Sequence, residues 1–129
     1  MNYQHILVAV DLTDSSQTVI NRAISIAQQN NSKLSLVFVD VDRVVLEPRD
    51  QQSLEQRLKT LADQSHYPID EALIVVGDLH VKLSGMAKEM GIDLVMCGHH
   101  HKLWSRLFSS VPKVANAVEA DLLVVYLDH

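Results

Sequence analysis

Three consecutive histidines, His99–His101, form the densest group of chemically active side chains in the sequence, and they follow a glycine at the end of an apolar run. Neutral imidazole binds transition metals. A tetrahedral metal centre needs ligands that converge, and three adjacent loop residues rarely point at one centre. His99 and His101 can chelate a metal weakly only if His5 or His80 lies beside them. We therefore expect solvated loop imidazoles, with a partial positive charge near neutral pH, and no metal site.

The remaining reactive side chains do not predict a catalytic centre. Cys97 ends an apolar run and has no neighbouring base in the sequence, so a buried and inert thiol is expected. Ser109 and Ser110 are expected to cap a helix, with phosphate acceptance as the weaker alternative. No Ser-His-Asp or Cys-His arrangement has a supporting motif, and no pair of carboxylates is placed for acid-base catalysis.

Length and composition favour one domain, residues 1–129, with a substantial core. The chain has 129 residues, of which 47% are hydrophobic and 21% charged. The net charge of −5 argues against a nucleic acid or an anionic membrane as partner. The single cysteine cannot form an internal disulfide. The first residues lack a signal-peptide pattern, and no apolar run approaches the ~18 residues of a membrane span, so we expect a cytoplasmic protein.

Five short apolar runs predict the strands of a sheet. They are continuous rather than alternating and rich in Val, Ile and Leu, which is typical of parallel strands buried on both faces. The predicted strands are Ile6–Val10, Leu34–Val39, Ala72–Val76, Ile92–Cys97 and Leu122–Leu127.

Four segments with helical spacing of apolar residues alternate with these runs. The order β-α-β-α-β-α-β-α-β predicts an α/β fold, a three-layer sandwich around a five-stranded parallel sheet. The helix signals are N-cap oxygens at Thr13–Ser15 with a stop at Asn30 and Asn31, Pro48 ahead of the second helix, Asp78 as a cap with Gly91 as the C′ residue, and a cap at Ser109 or Ser110.

The most probable ligand position follows from this fold class. Open parallel sheets bind ligands at the carboxyl ends of the strands, where the strand order reverses. The loop after the first strand begins at Asp11, and the loop after the fourth begins at Gly98. The two loops face each other if the first and fourth strands are neighbours, which the patterning alone does not decide.

Four segments of the chain carry a family resemblance. They are HILVAVDLTDSS, LSLVFVDV, GDL, and DLVMCGHH with a later SSV. In this order and spacing they resemble the universal stress protein family, over essentially the full length. The resemblance implies strand order 3-2-1-4-5, the adenine nucleotide alpha hydrolase-like, Rossmann-like fold. It also implies a homodimer, often formed through the last strand, here Leu122–Leu127, whose apolar edge would invite pairing.

Some members of this family bind ATP, and the resemblance implies which residues would form their pocket. The pattern is Gly-x-x-Gly, nine residues, then Gly-Ser-Val, with an Asp toward the ribose and a Val against the adenine. The glycines allow backbone amides to approach phosphates at a helix N-terminus. Asp11 can equally cap the first helical turn or orient Thr13. The positions that match the pattern are Asp11, Val39, Gly98, Ser110 and Val111.

The phosphate loop departs from the ATP-binding pattern in three ways. His101 and Ser109 occupy the positions of the second and third glycines, and only seven residues separate them. A non-glycine residue forced into a left-handed conformation costs roughly 1–3 kcal/mol. Two such positions would weaken binding by about 10²- to 10⁴-fold. The pattern resembles the universal stress protein A branch, which does not bind ATP.

The sequence thus predicts a non-enzymatic, dimeric stress-response protein without a cofactor and with a degenerate nucleotide pocket that includes His99. Such a protein would act through protein contacts or through its regulated abundance. The alternative is a regulator that binds ATP or AMP with Mg²⁺ and hydrolyses it slowly or phosphorylates itself.

Overall fold

The computed structural model describes residues 2–40, 45–99 and 119–126. Apolar runs form the strands and amphipathic segments form the helices, as their periodicities predict. The elements are β1 (His5–Ala9), α1 (Ser16–Asn30), β2 (Lys33–Asp40), α2 (Pro48–Gln64), β3 (Ala72–Val76), α3 (Leu79–Met90), β4 (Leu94–His99) and β5 (Asp121–Tyr126).

The sheet is parallel, and its strand order is β3-β2-β1-β4-β5. This order and the α/β fold class confirm the prediction. The fourth strand begins two residues later than predicted. The N–H of Ile92 donates to Ala87 O at the end of α3, at 2.9 Å, so this residue completes the helix terminus instead of starting the strand. The predicted fourth helix lies outside the described residues.

The core has two layers because alternate residues of each central strand point to opposite faces of the sheet. Ile6 and Val8 of β1 pack with α1 and α2 on one face. Leu7 packs with α3 and with Val37 and Val95 on the other face. All five side chains have no exposed surface. Helices on both faces therefore cover the central strands, so a ligand would reach these strands at their ends.

The predicted helix stops are confirmed. Asn31 and Gly91 have left-handed backbones, with φ of 55° and 68°, and their N–H groups donate to carbonyls of the last turn. The two helices begin directly after the predicted cap residues, at Ser16 and Leu79, but the side chains of Ser15 and Asp78 make no capping hydrogen bond. Ser15 has a helical backbone, φ −67° and ψ −19°, whereas a capping side chain needs an extended one.

Candidate functional site

The loops after β1 and β4 begin side by side. Ala9 is in register with Cys97 in the parallel ladder, so Asp11 and His99 both follow at the same edge of the sheet. The strand adjacency expected from the family resemblance is thus present. His99 ends β4 in register with Tyr126 of β5. Four predicted site residues lie outside the described residues: His101, Ser109, Ser110 and Val111.

Asp11 organises its own loop. One carboxylate oxygen, Oδ1, accepts hydrogen bonds from the backbone N–H of Thr13 at 3.0 Å and from its hydroxyl at 2.6 Å. The same oxygen accepts a third bond from Ser16 Oγ in the first turn of α1, at 2.8 Å. Of the three roles open to Asp11, the orientation of Thr13 is the one these contacts describe. Together they fasten the loop to the start of α1.

Leu12, between Asp11 and Thr13, is held in an unusual backbone conformation. Its φ is 62°, in the left-handed region, and its side chain is only 8% exposed. A left-handed non-glycine residue costs roughly 1–2 kcal/mol, so surrounding contacts must hold it there. Arg57 of α2 donates from Nη2 to Leu12 O at 2.7 Å. Sequence reasoning missed Arg57, because a charged residue on the polar face of an amphipathic helix gives no signal of a distant partner.

The carboxyl ends of β2 and β3 form the neighbouring part of this edge. Val39 is 9% exposed and packs in the core layer beneath α3, so little of its side chain is left for a ligand. Gly77 has φ 137°, a conformation that L side chains rarely adopt, and its N–H donates to Asp40 O at 3.2 Å. The glycine of the GDL segment is therefore required by the backbone where β3 turns into α3.

Cys97 lies two residues before the end of β4, and its environment makes it inert. The thiol is buried in β4, and burial raises its pKa to about 11. The thiolate is the nucleophilic form, and this pKa suppresses it near neutral pH. The predicted core thiol is confirmed.

His99 and His5 do not lie close enough to form the hypothesised chelate. His5 is buried at the start of β1, where its Nε2 lies 2.8 Å from Ser35 Oγ and its Nδ1 lies 3.2 Å from Met90 O. Because β4 runs parallel to β1, His99 lies at the opposite end of the sheet, roughly 20 Å away by strand rise. No group of three potential metal-ligating side chains occurs within residues 2–40, 45–99 and 119–126.

None of the three helices in the described part of the chain is long and apolar enough to cross a membrane.

Comparison with known proteins assigns the family. Residues 2–126 match the model of the universal stress protein family. Universal stress protein A of Photorhabdus laumondii is 40% identical, over 98% of this chain and 97% of the relative. Universal stress protein A of Escherichia coli K12 is 37% identical, over 98% and 96%.

A solved structure supports the same assignment. A universal stress protein crystallised in complex with cAMP is 28% identical and superposes with a TM-score of 0.75, covering 98% of both chains. The parallel sheet of order 3-2-1-4-5 fits this comparison. The chain belongs to the universal stress protein family.

Proposed function

We propose that this chain is a stress-response protein of the universal stress protein A type that acts as a homodimer through protein contacts and does not bind ATP tightly. The observation that carries the proposal is the composition of the loop after β4. It has His101 and Ser109 in place of two glycines and is two residues shorter than the ATP-binding pattern of the family. The proposal includes the cytoplasm as its compartment, consistent with a single cysteine that cannot form an internal disulfide.

The loop composition matters because phosphate binding in such folds relies on convergent backbone amides. Glycine permits both the left-handed angles and the close approach that this convergence needs. The described residues at the carboxyl ends of the strands support the proposal, since Val39 offers little surface to an adenine ring. Oδ1 of Asp11 already accepts three hydrogen bonds from its own loop and the first turn of α1, so it holds protein structure.

The homodimer is proposed to form through β5. Among the described residues, β5 is an edge strand, with only β4 beside it. Its Val124 and Tyr126 side chains are 40% and 75% exposed, which is unusual for apolar and aromatic residues of a strand. A second copy of β5 would pair the backbone edge and cover both side chains.

A second candidate function is a nucleotide-dependent regulator, with slow hydrolysis or self-phosphorylation. One specific observation favours it: the 28% identical solved relative was crystallised with cAMP. The two candidates differ in what a purified sample should contain. A regulator of this kind should retain nucleotide in native mass spectrometry and be stabilised by micromolar ATP, AMP or cAMP with Mg²⁺, and the first candidate should show neither.

The dimer is tested by light scattering at tens of micromolar protein. We expect twice the monomer mass for the natural chain and the monomer mass for Val124→Lys, because a charge on each copy would face the other at the pairing edge. Val81→Lys is the matched control, since Val81 is 54% exposed on α3, away from β5, and this variant should remain dimeric. A monomeric natural chain would contradict this part of the proposal.

A further inference from the structure

The second edge of the sheet, β3, presents unused backbone groups. Leu36 N donates to Glu71 O at 2.8 Å and Gly77 N donates to Asp40 O at 3.2 Å. In a strand, the N–H and C=O groups of one residue point to the same side, and those of the next residue point to the other side. The backbone groups of the odd-numbered residues of this segment therefore face β2. Ala72, Ile74 and Val76 therefore direct their backbone groups outward. No strand within the described ranges pairs with this side of β3.

A groove runs along this edge between β3 and α2, with a volume of about 490 Å³. Ala62 of α2, with Ile69 and Ile74, gives it an apolar floor, and all three side chains are half-buried against the core layer beneath α1 and α2. An added strand would place alternate side chains over this floor and bond to the outward backbone groups.

The walls of the groove are acidic. Glu55, Asp70 and Glu71 line it with one basic residue, Lys59, so its net charge is −2. Glu55 and Lys59 stand four residues apart on α2, the spacing at which opposite charges support each other. Asp70 and Glu71 are exposed, and neither side chain forms an ion pair with another described residue. Two of the three acidic side chains of the groove therefore lie at the start of β3.

We propose that the β3 edge binds an extended, basic peptide segment of a partner protein as an additional strand. Backbone hydrogen bonds to Ala72, Ile74 and Val76 supply affinity, apolar side chains occupy the groove, and Lys or Arg side chains face Asp70 and Glu71. A second copy of this chain fits poorly at this edge, because its own β3 edge carries the same acidic walls. The inference rests on the proposed action through protein contacts, and it is independent of nucleotide binding.

The probe is an acetylated and amidated heptapeptide, Thr-Lys-Val-Arg-Val-Lys-Thr, with a twin in which Glu replaces each basic residue. Binding is followed by the ¹⁵N–¹H spectrum of the full chain. We expect saturable shifts centred on the Ala72, Ile74 and Val76 amides with the basic peptide below about 1 mM, and affinity for the acidic twin at least about tenfold weaker.

Two variants separate the backbone and charge contributions. Ala72→Pro removes one outward N–H without removing a bond to β2, which an edge strand tolerates at its first residue. The double variant Asp70→Lys with Glu71→Lys changes only exposed side chains, so it tests the proposal even if the proline variant fails to fold. We expect about fivefold to tenfold weaker binding of the basic peptide in each, and a preference for the acidic twin in the double variant. Glu89→Lys, exposed on α3, reverses a single charge outside the groove; it is the control for each charge reversal and should change affinity less than about twofold.

Equal affinity for the two peptides, shifts centred away from β3, or no saturation at about 1 mM would overturn the proposal. Self-association without peptide that disappears in Ala72→Pro would also overturn it, since a second copy would then be the occupant. A failed peptide titration alongside an intact dimer and absent ATP binding would leave the proposed function standing. Selective peptide binding by a protein that also binds ATP tightly would support the peptide site and contradict the proposed function.

Discussion

The two ends of the sheet are built differently. At the amino ends of the strands, the Asp93 carboxylate accepts hydrogen bonds from the backbone N–H groups of Gln4, at 2.8 Å, and His5, at 3.0 Å. At the carboxyl ends, Leu12 and Gly77 hold backbone angles that are unfavourable for most residues. Both ends contain left-handed residues, but at the amino ends these are Asn31 and Gly91, which end helices and are residue types that tolerate this conformation, whereas the carboxyl ends hold Leu12 in it.

Further contacts extend this difference. At the amino ends, the Tyr3 hydroxyl donates to Asp121 Oδ2 at 2.7 Å, and this hydrogen bond raises the pKa of the tyrosine. At the carboxyl ends, Asp11 and Arg57 bond to the loop around the left-handed Leu12. Strained backbone is characteristic of functional regions, and the carboxyl ends are where parallel sheets bind ligands. The amino ends thus stabilise the fold, and the carboxyl ends hold a strained backbone at Leu12.

The largest expected effect on stability comes from removing the Asp93 carboxylate. Asp93→Ala should lower the free energy of unfolding by about 2–3 kcal/mol, because two backbone donors at the start of β1 lose their acceptor. Urea denaturation measures the change. The control is Asp63→Ala, which removes an exposed carboxylate of α2 and should change stability by less than about 0.5 kcal/mol. Equal effects in the two variants would mean that the amino-end network is not stabilising.

The next largest effect is a difference in stability between alanine substitutions at two glycines, Gly77 and Gly85. Gly77→Ala should destabilise the protein by roughly 1–3 kcal/mol, because φ 137° disfavours any side chain. An added Cβ would also meet Lys82 Cε at 2.8 Å, but this contact is relieved cheaply by the flexible side chain. Gly85→Ala lies inside α3 with open space around the new Cβ, and it should stabilise by up to about 1 kcal/mol. Thermal and urea unfolding of both variants should therefore shift in opposite directions, and a shift in the same direction would contradict the strain assigned to Gly77.

The smallest effect concerns alkaline pH. The folded Cys97 has a pKa of about 11, against 9.0 when unperturbed, so the unfolded chain loses its proton first. The stabilising contribution is complete below pH 9 and is lost as the pH rises toward 11. At pH 10 the loss is about 1 kcal/mol. Between pH 8 and pH 10, the free energy of unfolding should therefore fall by about 1 kcal/mol less in Cys97→Ala than in the natural chain. The same pH dependence in both proteins would contradict the burial of this thiol.

Patterning and family resemblance together predicted much of the fold. Continuous apolar runs marked all five strands, and Gly91 and Asn31 marked helix ends, because burial and left-handed termini leave local signals. The strand order came from the resemblance, since parallel pairing joins segments far apart in sequence. Ile92 was misassigned because an apolar residue at a helix end is indistinguishable from the first residue of a strand.

The candidate site was less predictable. Asp11 was singled out because it follows the first predicted strand, but its contacts to Thr13 and Ser16 depend on how the loop folds, which the sequence does not contain. Arg57 was not found, because its bond to Leu12 O crosses between two elements 45 residues apart. The separation of His5 from His99 likewise depended on strand direction, which composition does not contain.

Isothermal titration of Mg-ATP into nucleotide-free protein tests the central claim most directly, because that claim concerns a phosphate loop that lacks two of its three glycines. The natural chain should show no saturable heat, or a Kd weaker than about 100 µM, in keeping with the expected 10²- to 10⁴-fold weakening. A Kd in the low micromolar range, or ATP retained through purification, would contradict the account and assign the chain to the nucleotide-binding regulators instead.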